Sequence, residues 1–293
     1  MSQETVTPSV GLRLRGLWTL MHPGPSLVSA LAYAIFAVIA ARGRPNLTTL
    51  AITFIGMVAL QFAISALNDY RDREADKRSH KFKPIARGIL PAWSAIVATA
   101  MLTALMIACY APFGIAPLLI ASAFLLLGFA YDLGLKTTPL GAVLMGLAFP
   151  LLPLLAWDLF AHVTPALFWT FPLGLALGAS IHIADALPDL AADRAAGERT
   201  LALALGRAAP AAQWLLLVAA NLLVIVLAVT GVTPAQPALL TAVTAVAFAF
   251  IIAGLIIARQ RDWPASHRLR ANFILTVLAA LAIAVGWVAA VLA

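Results

Sequence analysis

Nine stretches of roughly 20 mainly apolar residues, the length a helix needs to cross a bilayer, divide this chain and leave it few ways to fold. They fall at about 24–41, 47–67, 91–110, 114–131, 140–157, 164–183, 209–230, 234–257 and 270–291. Composition agrees: 63% of the 293 residues are hydrophobic and 11% are charged, against about 45–50% and about 25% in a soluble domain. The span at 140–157 contains Pro150 and Pro153, which membrane helices tolerate where neighbours satisfy the freed backbone groups. The expected fold class is an all-α integral membrane protein of about nine transmembrane helices. It is read as a single domain over 1–293, with an N-terminal tail over 1–22 and polar loops at 68–90 and 184–208. The first twenty residues hold Arg13 and Arg15 but no short apolar core before a small-residue cleavage site, so no cleavable signal peptide is expected. The single cysteine, Cys109, excludes an intrachain disulfide and reads as a small packing residue.

The net charge of +7 does not call for nucleic acid. With nine spans and the N-terminus inside, 17 of the 19 Lys and Arg residues fall on one side and only Arg42 and Arg44 on the other. By the positive-inside rule the rich side is cytoplasmic, where basic loops lie against anionic membrane lipids. Trp18, Trp93, Trp157, Trp169, Trp214, Trp263 and Trp287 all lie near span ends, as in an interfacial belt.

The loops after the second and sixth spans carry acidic residues at four-residue steps. Asn68, Asp72 and Asp76 form the first set; Asp185, Asp189 and Asp193 form the second, each 117 residues further on. On a helix such spacing puts the side chains on nearly one face with neighbours about 6 Å apart. Like charges stacked this way repel, so something must offset the cost. A divalent cation carrying a polyphosphate does so, since Mg²⁺ takes one or two carboxylates together with phosphate oxygens. Both sets are expected on the cytoplasmic side, facing one shared site. A solvated loop of mixed charge is the bland reading, but charge mixture alone does not require the four-step spacing.

Other residues join as candidates. Asp69 could bind metal or cap the helix. Lys81, Lys83 and Arg87 are placed to meet phosphate oxygens, with Pro84 and Gly88 shaping the returning loop. Pro188 is expected to start a new helical turn that holds Asp189 and Asp193, where a helix dipole also favours carboxylates. Arg199 is either a phosphate contact or a solvated arginine, and Lys136, between spans four and five, reaches a diphosphate or marks orientation. His182 lies on the helical face of Asp185 and reads as a polar packing or substrate-contact residue, because no His/Cys cluster accompanies it. No Gly-rich nucleotide loop or Ser nucleophile elbow is present.

Together, NDxxDxxxD at Asn68–Asp76, DxxxDxxxD at Asp185–Asp193 and YxxxxK at Tyr131–Lys136 resemble the UbiA superfamily of intramembrane prenyltransferases. The resemblance covers nearly the whole chain. KPIARG at Lys83–Gly88 is similar to that family's RPxxxG element, with lysine in place of arginine, and Asp132 replaces a more usual small polar residue. The resemblance implies a helical bundle with a central cavity opening near the cytoplasmic face of a bacterial plasma membrane. It also implies Mg²⁺ held by the two acidic sets, and a polyprenyl diphosphate whose allylic C–O bond ionises. The prenyl group then passes to a hydrophobic or aromatic acceptor. Tyr131 joins the candidate site residues on the same ground.

Three competitors remain at this level. A membrane terpene cyclase on the same scaffold would need no acceptor. A transporter would place its carboxylates within the spans, whereas these lie at span ends. A CDP-alcohol phosphatidyltransferase would show a DGxxAR lead and fewer spans.

Overall fold

The computed structural model describes residues 8–77, 82–231, 236–260 and 262–289. The described residues form α-helices joined by turns and short 3₁₀ segments: α1 (Val10–Leu20), α2 (Pro23–Ala40), α3 (Leu47–Asp76), α4 (Ala92–Tyr110), α5 (Ile115–Asp132), α6 (Leu140–Ala148), α7 (Leu151–Phe160), α8 (Thr170–Ala186), α9 (Leu190–Ala195), α10 (Leu201–Leu205), α11 (Ala209–Val229), α12 (Pro237–Ala258) and α13 (Ala265–Trp287). Among these residues nine helical stretches are long and apolar enough to cross a membrane. The protein is an integral, multi-pass membrane protein. Large side chains such as Met101, Leu126 and Leu215 are exposed on its spans, as lipid-facing positions should be.

Residues group into two compact units, one from 1–34 and 47–133, the other from 35–46 and 134–293. In the first unit α3 packs on α4 and α5. Gly56 makes the first contact close: a Cβ there would sit 2.9 Å from the Cys109 Cβ and 2.8 Å from the Tyr110 ring. The Tyr110 hydroxyl donates to the Thr53 carbonyl at 2.8 Å, so Cys109 is a buried packing residue beside a satisfied tyrosine. At 30 residues, α3 outruns its apolar stretch. Its length of about 45 Å exceeds a hydrocarbon core of about 30 Å, so Asn68–Asp76 continue the helix beyond the apolar layer.

In the second unit α8 packs on α6, α11 and α13. Backbones meet at Gly146 and Gly178, where a Cβ on Gly178 would lie 2.5 Å from the Gly146 backbone. Small residues allow this approach where no hydrophobic driving force operates between helices in lipid. Polar side chains add directional bonds. Gln213 exchanges two hydrogen bonds of 3.1 Å with Asn272 and donates a third to Thr276 at 2.7 Å. This buried amide pair pins α11 to α13.

Several boundaries differ from expectation. The tail contains α1. The fifth span is two helices, because Pro150 has no N–H to continue α6. The seventh begins at Leu201, interrupted by a turn at Gly206 with φ +54. The ninth begins at Ala265, so Arg268 and Arg270 are helical. Hydropathy ends a span where charge begins, whereas a helix can run on into the headgroup layer. The tryptophan belt is half right: Trp18, Trp93, Trp169 and Trp263 are exposed, but Trp157, Trp214 and Trp287 are buried in the protein. Gly254 leaves the space that the Trp214 ring occupies.

Candidate functional site

The last turns of α3 carry the first acidic set on one continuous helix, as its spacing requires. Asn68 donates its amide N–H to the Asp132 carboxylate at 2.7 Å, across from α3 to the end of α5. That bond orients the amide. The Asn68 oxygen, the one atom of that side chain able to ligate a hard cation, takes no part in that bond. Asp132 was visible only as a departure from a family pattern; its bond to Asn68 gives it a task.

Asp69 takes a different role from its neighbours. It is only 2% exposed and accepts from Lys83 Nζ at 2.6 Å, with His22 Nε2 at 2.8 Å on the same oxygen. Lys83 also stands 3.7 Å from Asp76. The returning loop is held by Pro84, whose carbonyl accepts from Ile89 and Leu90 at 2.9 and 3.2 Å, and Ile85 and Leu90 are buried against Leu20 and Ala66. Arg15 and Arg87 lie against the Phe82 ring, 5.2 and 5.3 Å from its centroid. Lys81 lies outside the described residues. No linear pattern pointed to His22, which is 47 residues from its partner.

The second acidic set does not share one helix. α8 stops at Ala186, and Asp189 stands at the N-cap position of α9 without a side-chain capping bond. Pro188 is the cause, since it cannot donate back into α8. The expected restart holds: Asp193 lies in the first turn of α9, its N–H bonded to the Asp189 carbonyl at 2.9 Å. α9 then closes in a Schellman turn. Gly197, at φ +77, donates to the Arg194 carbonyl, and Glu198 donates to the Asp193 carbonyl at 3.0 Å. This turn brings back a fourth carboxylate, Glu198, which lies outside the four-step pattern. Burial, then Glu198, Asp189 and Asp185 in that order, push the Asp193 carboxyl up to about 6.

Lys136, His182 and Arg199 fall in the same unit. The Arg199 N–H donates to the Thr137 carbonyl at 2.8 Å, tying its loop to the turn that holds Lys136. Buried His182 packs where Gly141 leaves room: a Cβ there would meet the His182 ring at 2.9 Å and the Lys136 backbone at 3.0 Å. The backbone around Lys136 thus lies beside both the Arg199 loop and the His182 ring. Tyr131 stands one residue before Asp132 at the end of α5, in the first unit. A cavity of about 440 Å³ opens between α8 and α13, lined by Ala184, Asp185, Pro188, Ser266, Leu269, Arg270 and Phe273.

Among the described residues no three His, Cys, Asp or Glu side chains converge to hold an ion unaided. Mg²⁺ does not demand that, because it keeps waters and takes phosphate oxygens beside one or two carboxylates. Burial and three neighbouring acids raise Asp193, so carboxylates crowd there, and the Asn68 side-chain oxygen is a further hard donor. The donor chemistry fits a divalent cation.

Fold and site together define a multi-spanning helical membrane protein that carries acidic side chains beyond the ends of its apolar helices. The profile of the UbiA prenyltransferase family matches residues 26–274, and the chain belongs to that family. It is 29% identical over 172 residues to a 4-hydroxybenzoate octaprenyltransferase of Paraburkholderia xenovorans, covering 58% of this chain and 60% of that protein. The chain thus spans about three-fifths of that relative's length. Its fold is similar to a UbiA homolog from Archaeoglobus fulgidus solved with GPP and Mg²⁺, with TM-score 0.69, 19% identity and coverage of 95% and 99% of the two chains. A UbiA homolog from Aeropyrum pernix gives TM-score 0.69 at 20% identity, covering 88% of this chain and 95% of that one.

Proposed function

We propose that this protein transfers a prenyl group from a polyprenyl diphosphate to a hydrophobic or aromatic acceptor, on the cytoplasmic face of a bacterial plasma membrane. The observation that carries the reading is the gathering of four carboxylates, Asp185, Asp189, Asp193 and Glu198, where burial and the three neighbours raise the acid of Asp193 to about 6. A family relative named for octaprenyl transfer to 4-hydroxybenzoate, and a neighbour solved with GPP and Mg²⁺, support the same chemistry.

Asn68, Asp72 and Asp76, with Asp185, Asp189 and Asp193, would hold Mg²⁺. When bound, Mg²⁺ neutralises the charge that gathers on a departing diphosphate. Lys136 and Arg199 offer N–H donors to diphosphate oxygens from their adjoining loops, and Lys81 and Lys83 do so from the first loop. Lys83, which lies between Asp69 and Asp76, keeps a positive charge beside the first acidic set. Asp132 holds the Asn68 amide N–H and leaves its oxygen out of that bond. The apolar spans hold the prenyl tail and exclude the water that would otherwise capture an allylic cation.

The test is incubation of the purified protein in detergent with a prenyl diphosphate, with and without 4-hydroxybenzoate, in Mg²⁺ or in chelator. A prenylated aromatic acid that forms only with Mg²⁺ is expected. A cyclised hydrocarbon formed without acceptor would make the protein a terpene cyclase, and no diphosphate release in any condition would end the reading.

A further inference from the structure

We propose that the cavity between α8 and α13 seats the acceptor, and that Arg270 binds the carboxylate of a small aromatic acid there; this rests on the prenyl-transfer reading above. Ser266, Leu269, Arg270 and Phe273 are spaced i, i+3, i+4 and i+7, so one face of α13 forms a whole wall. The opposite wall is the end of α8 with Asp185 and Pro188. At about 440 Å³ the space falls within the roughly 300–1,000 Å³ of small-molecule sites.

The chemistry of the walls selects the ligand. Leu269, Phe273 and Pro188 offer apolar surface to a ring, and Arg270 offers a planar fork that matches a carboxylate. The two arginines on this part of α13 are not equivalent. Arg268 is committed to the Gln260 carbonyl at 2.9 Å. Among the described residues Arg270 has no hydrogen-bond or ion-pair partner, so its donors are available. Its helix is held in register by the Gln213 amide pair with Asn272, between Arg270 and Phe273, which reduces the ordering that binding would require. Asp185 places the second acidic set at the edge of the same cavity. An acid anchored on Arg270 would therefore have its ring beside the carboxylates assigned to the diphosphate.

Calorimetric titration of the purified protein in detergent tests this without turnover, using 4-hydroxybenzoate and its neutral analogue 4-hydroxybenzamide. The wild type should bind the acid at least about tenfold more tightly than the amide, a difference worth about 1.4 kcal/mol. Arg270→Gln should remove that preference, Arg270→Lys should restore part of it, and Phe273→Ala should weaken both ligands alike. Arg270 is exposed, and thermal unfolding should be unchanged in its variants. Titration of inorganic diphosphate with Mg²⁺ separates the other anion source. A wild type that binds no aromatic acid, an Arg270→Gln variant that keeps the preference, or one that loses diphosphate instead would each overturn the proposal. Mg²⁺-dependent release of diphosphate from a prenyl diphosphate reports on the transferase reading separately.

Discussion

Asp193 keeps a carboxyl that burial and three neighbouring acids push up to about 6. Its native value lies above the unfolded value of about 3.9. Between the two, the folded protein binds more protons than the unfolded chain, so stability falls as pH rises through that window. Without divalent cations the apparent melting temperature in detergent should therefore be higher at pH 5 than at pH 7, and Asp193→Asn should flatten the difference. Mg²⁺ should recover stability at pH 7 and bind more weakly below pH 6, because its ligands must be deprotonated. A melting temperature indifferent to Mg²⁺ at both pH values would show that the carboxylates do not hold it. Asp72→Asn and Asp189→Asn should each abolish turnover while the protein still accumulates in membranes, which product mass spectrometry and immunoblotting read separately. Asp69→Asn should behave oppositely. It removes the negative charge that Lys83 and His22 share, at a cost of about 2 kcal/mol. That is below the roughly 3–5 kcal/mol of a fully buried pair, because both partner side chains keep some access to water.

At the scale of elements, glycines and amides set how the helices meet. Gly178 has no room for a side chain against the Gly146 backbone. Gly178→Ala should force α6 and α8 apart and lower stability by about 1–3 kcal/mol. Thermal unfolding in detergent measures this, and a neutral result would mean that the helices adjust freely. Both acidic sets have the same spacing, yet one lies on an unbroken helix and the other straddles a break. A proline between Asp185 and Asp189 is legible in the sequence, and so is the restart it causes. The return of Glu198 toward Asp193 is not, because it depends on the hydrogen bonds of a turn rather than on periodicity.

At the scale of the whole molecule, the partition of basic residues predicts an orientation. Reporter fusions at Ala293 and after Gln260 should lie on opposite sides of the membrane, the latter cytoplasmic. The same side for both would refute the topology. The sequence by itself determined the helical membrane class, the order of the nine spans and the two acidic sets. Apolar length and four-residue spacing are local properties that a bilayer and a helix read directly. Only the tertiary structure decided that Asp69 is locked to His22 and Lys83, that Asp132 orients Asn68, and that three tryptophans face inward. Those outcomes join residues tens of positions apart, and which side chain fills which space follows from the packing of helices rather than from any repeat along the chain. Arg270 makes the same point: in the sequence it marks where a span begins, and folded it faces a cavity beside Asp185.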